Sequence, residues 1–66
     1  RSTIMVTGLS GKSNIKLIDM GGRILISIIT QNPTEKLNIG GLTHGVYNLV
    51  IVSEKGGIIT KRVVKQ

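Results

Sequence analysis

The stretch GGLTHGVYNLVIVS, residues 40–53, decides the fold class of this chain. From Val46 to Ser53, Tyr47, Leu49 and Ile51 point one way, while Val46, Asn48, Val50 and Val52 point the other. A period of two is the signature of a strand, not a helix. The glycines before it open a turn. Working outward, Ser2 to Val6 alternates Ile4 and Val6 against Thr3 and Met5, and Asn14 to Asp19 sets Ile15 and Leu17 against Lys16 and Ile18. Arg23 to Thr30 puts Ile24, Ile26 and Ile28 on one face and Leu25, Ser27 and Ile29 on the other. With apolar side chains on both faces, that strand is expected inside its sheet. A short segment, Lys36 to Ile39, follows Pro33, and Ile58 to Lys65 closes the chain. Asp19-Met20-Gly21-Gly22 and Glu54-Lys55-Gly56-Gly57 read as hairpin turns. Six such strands predict one all-β domain over residues 1–66, a small antiparallel sandwich or partial barrel.

Composition narrows what such a domain can do. The chain has 66 residues, nine Gly, one Pro, one Tyr, and no Cys, Trp or Phe. It also lacks Ala, so its apolar content is Ile, Val and Leu, which favour strands. Without cysteine there is no disulfide, no thiolate metal site and no thiol nucleophile. The longest apolar run is four residues, Leu49 to Val52, against the roughly 20 that a membrane-spanning helix needs, so no membrane insertion is expected. The first residue is Arg1, which suggests a piece of a longer protein.

Each chemical motif fails on its surroundings. Gly11-Lys12-Ser13 ends like a phosphate loop, but Val6 stands where the loop needs its first glycine, and a strand follows where a helix should. Asn32-Pro33-Thr34 is no glycosylation acceptor, because its middle residue is proline. His44 is the only histidine and has no sequence partner for metal or base chemistry. The three carboxylates, Asp19, Glu35 and Glu54, all fall beside turns. No catalytic residue, cofactor or metal ligand emerges, and an enzyme is not expected.

Nine Lys plus Arg against three Asp plus Glu give a net charge of +6. That balance raises nucleic-acid binding as one reading. Lys12, Lys16, Arg23, Lys36 and Lys55 are dispersed, however, and single-strand binders stack bases on rings, of which this chain has one. The apolar surplus carries more information. Leu25, Ile29, Val46, Val50 and Val52 fall on faces opposite the expected core, to be covered by loops, by a partner or by a second copy.

The order of several pieces resembles the C-terminal sorting domain of proteins exported by the type IX secretion system of certain Gram-negative bacteria. Asn14 to Arg23, NIKLIDMGGR, is similar to the family's strand ending in Asp, two variable residues, Gly and a basic residue. Leu37-Asn38-Ile39, Gly41-Leu42 and Gly45-Val46-Tyr47 resemble its short strand, Gly-Leu turn and Gly-x-Tyr opening of a long strand. Lys55-Gly56 and Thr60 to Lys65 resemble its closing hairpin and basic, valine-rich last strand.

The resemblance implies an immunoglobulin-like β-sandwich of six to seven strands that serves as an address, not as an enzyme. By the same resemblance its partners would be the outer-membrane translocon, a shuttle protein and a sortase, with the cargo passing through the periplasm to the cell surface, outer membrane or medium. Carried over position by position, the motif residues are Asp19, Gly22, Arg23, Gly45, Tyr47, Ile51, Lys61, Val63, Val64 and Lys65. Among these, Gly45 would supply the turn, Tyr47 and Ile51 the core, and Lys61, Val63, Val64 and Lys65 the recognised strand. Many family members carry an additional first strand with an Asn-Pro signature, whereas Asn32-Pro33 lies mid-chain here. Either the chain belongs to the branch without that signature, or it lacks the first strand, which leaves an open edge that a homodimer or strand-swapped assembly would close. The rival reading is a structural or adhesin-like sandwich packed on a parent enzyme, and a basic nucleic-acid-binding module is a third.

Overall fold

The computed structural model describes residues 3–66, and these form six strands: β1 (Thr3–Val6), β2 (Ser13–Asp19), β3 (Ile24–Thr30), β4 (Glu35–Asn38), β5 (Gly45–Ser53) and β6 (Ile58–Lys65). No helix occurs among the described residues. Ser2, expected in the first strand, lies outside them. The remaining boundaries agree with the alternation to within about one residue, and β4 begins at Glu35 instead of Lys36.

All pairings are antiparallel. β3-β2-β5-β6 make a four-stranded sheet, and β1-β4 make a second sheet of two strands. The two layers enclose one core. Ile15 and Leu17 of β2 are fully buried, facing Ile51 and Leu49 of β5 in register. Val6, Leu37 and Ile39 close over them from the small sheet and the turn that follows it. The all-β sandwich expected from the period-two pattern is the fold observed.

Two expectations need correction. β3 is an edge strand of the large sheet, not an internal one. Its faces also do not divide as simple alternation has them, because the pairing with β2 shifts between Leu17 and Ile18. Leu17 opposes Ile26 while Ile18 opposes Ile24, so Leu25 is the extra residue of a bulge. Leu25 consequently packs against the core, and Ile24, counted with Ile26 and Ile28, turns to the other face at 52% exposure. Apolar side chains on both faces marked a strand that is half open, not doubly covered.

The outer face of the large sheet carries Ile24, Ile29, Ile58 and Val64, each more than half exposed, so loops do not cover it. The cause is arithmetic: two strands cannot shield both faces, or even the whole of one face, of a sheet four strands wide.

Tyr47 joins the central strand to the loop before it. Its ring is 5% exposed within the core, and its hydroxyl donates to the Thr43 carbonyl four residues upstream. A buried phenol keeps its favourable packing only if the hydroxyl finds a partner, and this one anchors the approach to β5. Tyr47→Phe should therefore fold but lose about 1 kcal/mol, by removing one hydrogen bond. Tyr47→Ala should lose roughly 3 kcal/mol or more, enough to leave so small a domain largely unfolded at 25 °C. Urea unfolding followed by circular dichroism checks both, and equal midpoints for Tyr47→Phe and the wild type would show the hydroxyl to be idle.

Candidate recognition surface

The turn between β2 and β3 is built by Asp19. Its backbone carbonyl accepts from the Gly22 amide at 3.0 Å, and its side-chain Oδ1 accepts from the amides of Gly21 and Arg23 at 2.9 Å each. Gly22 sits at φ 89°, where a side chain is strained, so glycine fits the position for backbone reasons. Arg23 Nε donates to Asp19 Oδ2 at 3.3 Å. The Arg23 side chain is 80% exposed, so water screens that ion pair and the amide hydrogen bonds do most of the holding. Asp, two residues, Gly and a basic residue thus form a self-locking turn.

The register then draws most of the motif residues together. Asp19 lies opposite Tyr47, Tyr47 opposite Val63, and Gly45 opposite Lys65, so the turn, the opening of β5 and the end of β6 share one end of the large sheet. Val64 faces outward beside Val46. Lys65 does not project freely: its Nζ donates to the carbonyls of Leu42 and Gly40, tying the last strand to the loop before β5. Ile51, 8% exposed, and Lys61 lie farther along β5 and β6, away from that end.

Along the inner side of β6, Ile59, Lys61 and Val63 pair with Ile51, Leu49 and Tyr47. The small sheet covers them incompletely. A groove of about 330 Å³ runs between β1 on one wall and Ile59 to Val63 on the other, with Leu49 and Ile51 also lining it. The β1 wall, Ile4 to Thr7, is not legible from local sequence, because its place depends on the distant pairing of β1 with β4.

The three carboxylates are committed to backbone and side-chain donors. Glu35 Oε2 accepts from Thr30 Oγ1 and from Asn32 Nδ2, the latter at 3.0 Å. Glu54 Oε2 accepts from the Lys12 amide at 3.2 Å, and a Cβ on Gly11 would come within 2.8 Å of the same oxygen. Gly11 sits at φ 70°, a left-handed conformation that favours glycine and lets the loop pass directly into β2 at Ser13, while the Glu54 amide donates to the Lys12 carbonyl. That geometry is not a phosphate cradle. His44 is exposed in the turn before β5. No cluster of three or more His, Asp and Glu occurs among the described residues, and no helix there is long and apolar enough to cross a membrane.

A family model described as secretion system C-terminal sorting domain matches residues 1–66, the whole chain. No curated protein and no solved structure matches it.

The Arg23 amide, followed by the Arg23 side chain and the Gly21 amide, holds the Asp19 carboxyl below the usual aspartate range, against a partial loss of hydration. Thr30 and Asn32 do the same for Glu35. Because both folded values lie below their unfolded ones, the stability these groups contribute is complete at neutral pH and is lost as the pH falls below about 4. Asp19→Asn keeps the Oδ1 acceptor and removes the charge. In thermal melts between about pH 2 and pH 7 it should flatten part of the acid fall, and Asp19→Asn/Glu35→Gln should flatten more of it. An acid fall as steep as the wild type's in the double variant would place the titrating groups elsewhere.

Proposed function

Because the chain belongs to the secretion system C-terminal sorting domain family, which is not a catalytic one, we propose that it directs an attached cargo through the periplasm and across the outer membrane by being bound, with no chemistry of its own. The observation that carries this reading is the match of the family model over the full 66 residues. The physical features support it. The three carboxylates are spent on turns and on the β4 start, the histidine is exposed, and what the fold presents is strand edges and aliphatic surface.

The partners proposed are the translocon, the shuttle and the sortase of the type IX machinery, and the cargo is delivered to the cell surface, the outer membrane or the medium. Recognition centres on β6. It is an exposed edge strand with one hydrogen-bonded neighbour, and edge strands can be gripped through their backbone whatever their side chains.

A reporter carrying this chain at its C-terminus, expressed in a bacterium that has the secretion system, tests the reading. The intact fusion should appear in the medium or on the cell surface, whereas deletion of Lys61 to Gln66 should strand it in the periplasm. Lys65 also ties β6 to the Gly40–Leu42 loop, so circular dichroism of the truncated domain is needed to show that it still folds. Truncated, folded reporter that is exported at the full rate would refute the proposal.

A further inference from the structure

The loop from β4 to β5 has almost no backbone hydrogen bonding of its own. Among the described residues, Gly40 to His44 make one backbone–backbone hydrogen bond, from the Leu42 amide to the Ile39 carbonyl at 3.1 Å. The Gly40 amide donates to Asn38 Oδ1 at 2.9 Å, which is also local. Two side chains of the large sheet supply the remaining ties. The Tyr47 hydroxyl donates to the Thr43 carbonyl, and Lys65 Nζ donates to the carbonyls of Leu42 at 2.5 Å and Gly40 at 3.2 Å. Lys65 is the distant partner, 23 and 25 residues along the chain from the two carbonyls. Its backbone also pairs with Gly45, so one residue at the end of β6 holds the loop at both ends.

What the loop covers is apolar. Ile39 is buried and Leu42 packs against the core cluster that contains Tyr47, whereas Gly40, Gly41, Thr43 and His44 are exposed. Gly40-Gly41 before Leu42 and Gly45 after His44 bring no side chain to resist rotation, so the segment can swing while the strands on either side stay paired. A segment with so few hydrogen bonds also opens at a lower free energy than the central strands. We infer that Gly40–Gly45 is a lid on one end of the core, latched by the Lys65 ammonium, and that displacing the end of β6 opens it while β2 and β5 stay folded. The last strand and the lid are thereby coupled: a change at one is felt at the other, although they are far apart in sequence. The latch stands on geometry alone. Only its use, by a partner that pairs with β6 and so draws Lys65 away, rests on the sorting reading.

Native-state hydrogen exchange, read residue by residue by nuclear magnetic resonance, tests this first on the wild-type chain. The Leu42 amide should exchange faster than the amides of β2 and β5, and its rate should stay flat in urea up to about 1 M while theirs rises. Lys65→Met keeps the length of the side chain and removes the ammonium. With its fold checked by circular dichroism, it should speed Leu42 exchange by about fivefold or more, and so should deletion of Lys65 and Gln66 together. Lys61→Met, which removes a cation of the same strand that is not tied to the loop, should leave Leu42 unchanged. Ile15→Val should speed β2 and β5 and spare Leu42, because it weakens the core without touching the latch. A Leu42 rate that climbs with urea in step with β2 and β5 would overturn the lid, and this arm decides even if Lys65→Met fails to fold. A Leu42 rate unmoved by a folded Lys65→Met, or moved equally by Lys61→Met, would overturn the latch. The sorting reading is judged separately, by export of the reporter: it can fail with the latch intact, and the latch can fail with export intact.

Discussion

The pairing of β2 with β5 is the contact on which the rest of the molecule depends. It stacks Ile15 on Ile51 and Leu17 on Leu49, and these four side chains form the floor on which the small sheet rests. A chain of this length hides only about 60% of the surface its unfolded form exposes, so there is not enough sequence to build two broad layers. The outcome is four strands under two. Every exposed aliphatic of the large sheet, from Ile24 and Ile29 on one edge strand to Ile58, Ile59 and Val64 on the other, follows from that mismatch of widths. The surface offered to partners is thus set by the geometry of the core.

Charge acts on the same frame. Three carboxylates cannot neutralise nine cations, and the fold uses all three as acceptors for backbone amides or neighbouring hydroxyl and amide groups. Most of the positive charge is left in water, where like charges on two copies repel. Lys65 is the exception: by donating to the Leu42 and Gly40 carbonyls it works as a structural clamp between the last strand and the loop before β5.

Much of this was legible in the sequence, because period-two alternation is a local signal and the turns are built from residues within four positions of each other. Tyr47 as a core anchor, the Asp19 to Arg23 turn and the six strands fall in that class. The position of β3 does not. Ile24 to Ile29 is apolar in every place but one, which is equally the pattern of a strand covered on both faces and of an edge strand with a bulge. Only the pairings decide between them, since β3 has β2 as its one neighbour and the register shifts at Leu17–Ile18, and neither fact belongs to either strand alone. The groove is hidden for a related reason, since β1 and β6 stand at opposite ends of the chain and share no pairing that could link them by pattern. The clamp by Lys65 is not legible, because a terminal lysine carries no local mark of whether its ammonium meets water or a carbonyl.

A second layer of only two strands also bears on stability. A domain of this size has little stability to spare, and whatever binds the folded form alone adds to it by mass action. Covering the groove would take Ile59 and part of Val63 out of water. The covered form would then be both more stable and less sticky than the open one. The narrow β1–β4 layer is therefore the feature that leaves aliphatic side chains of the large sheet open at one side.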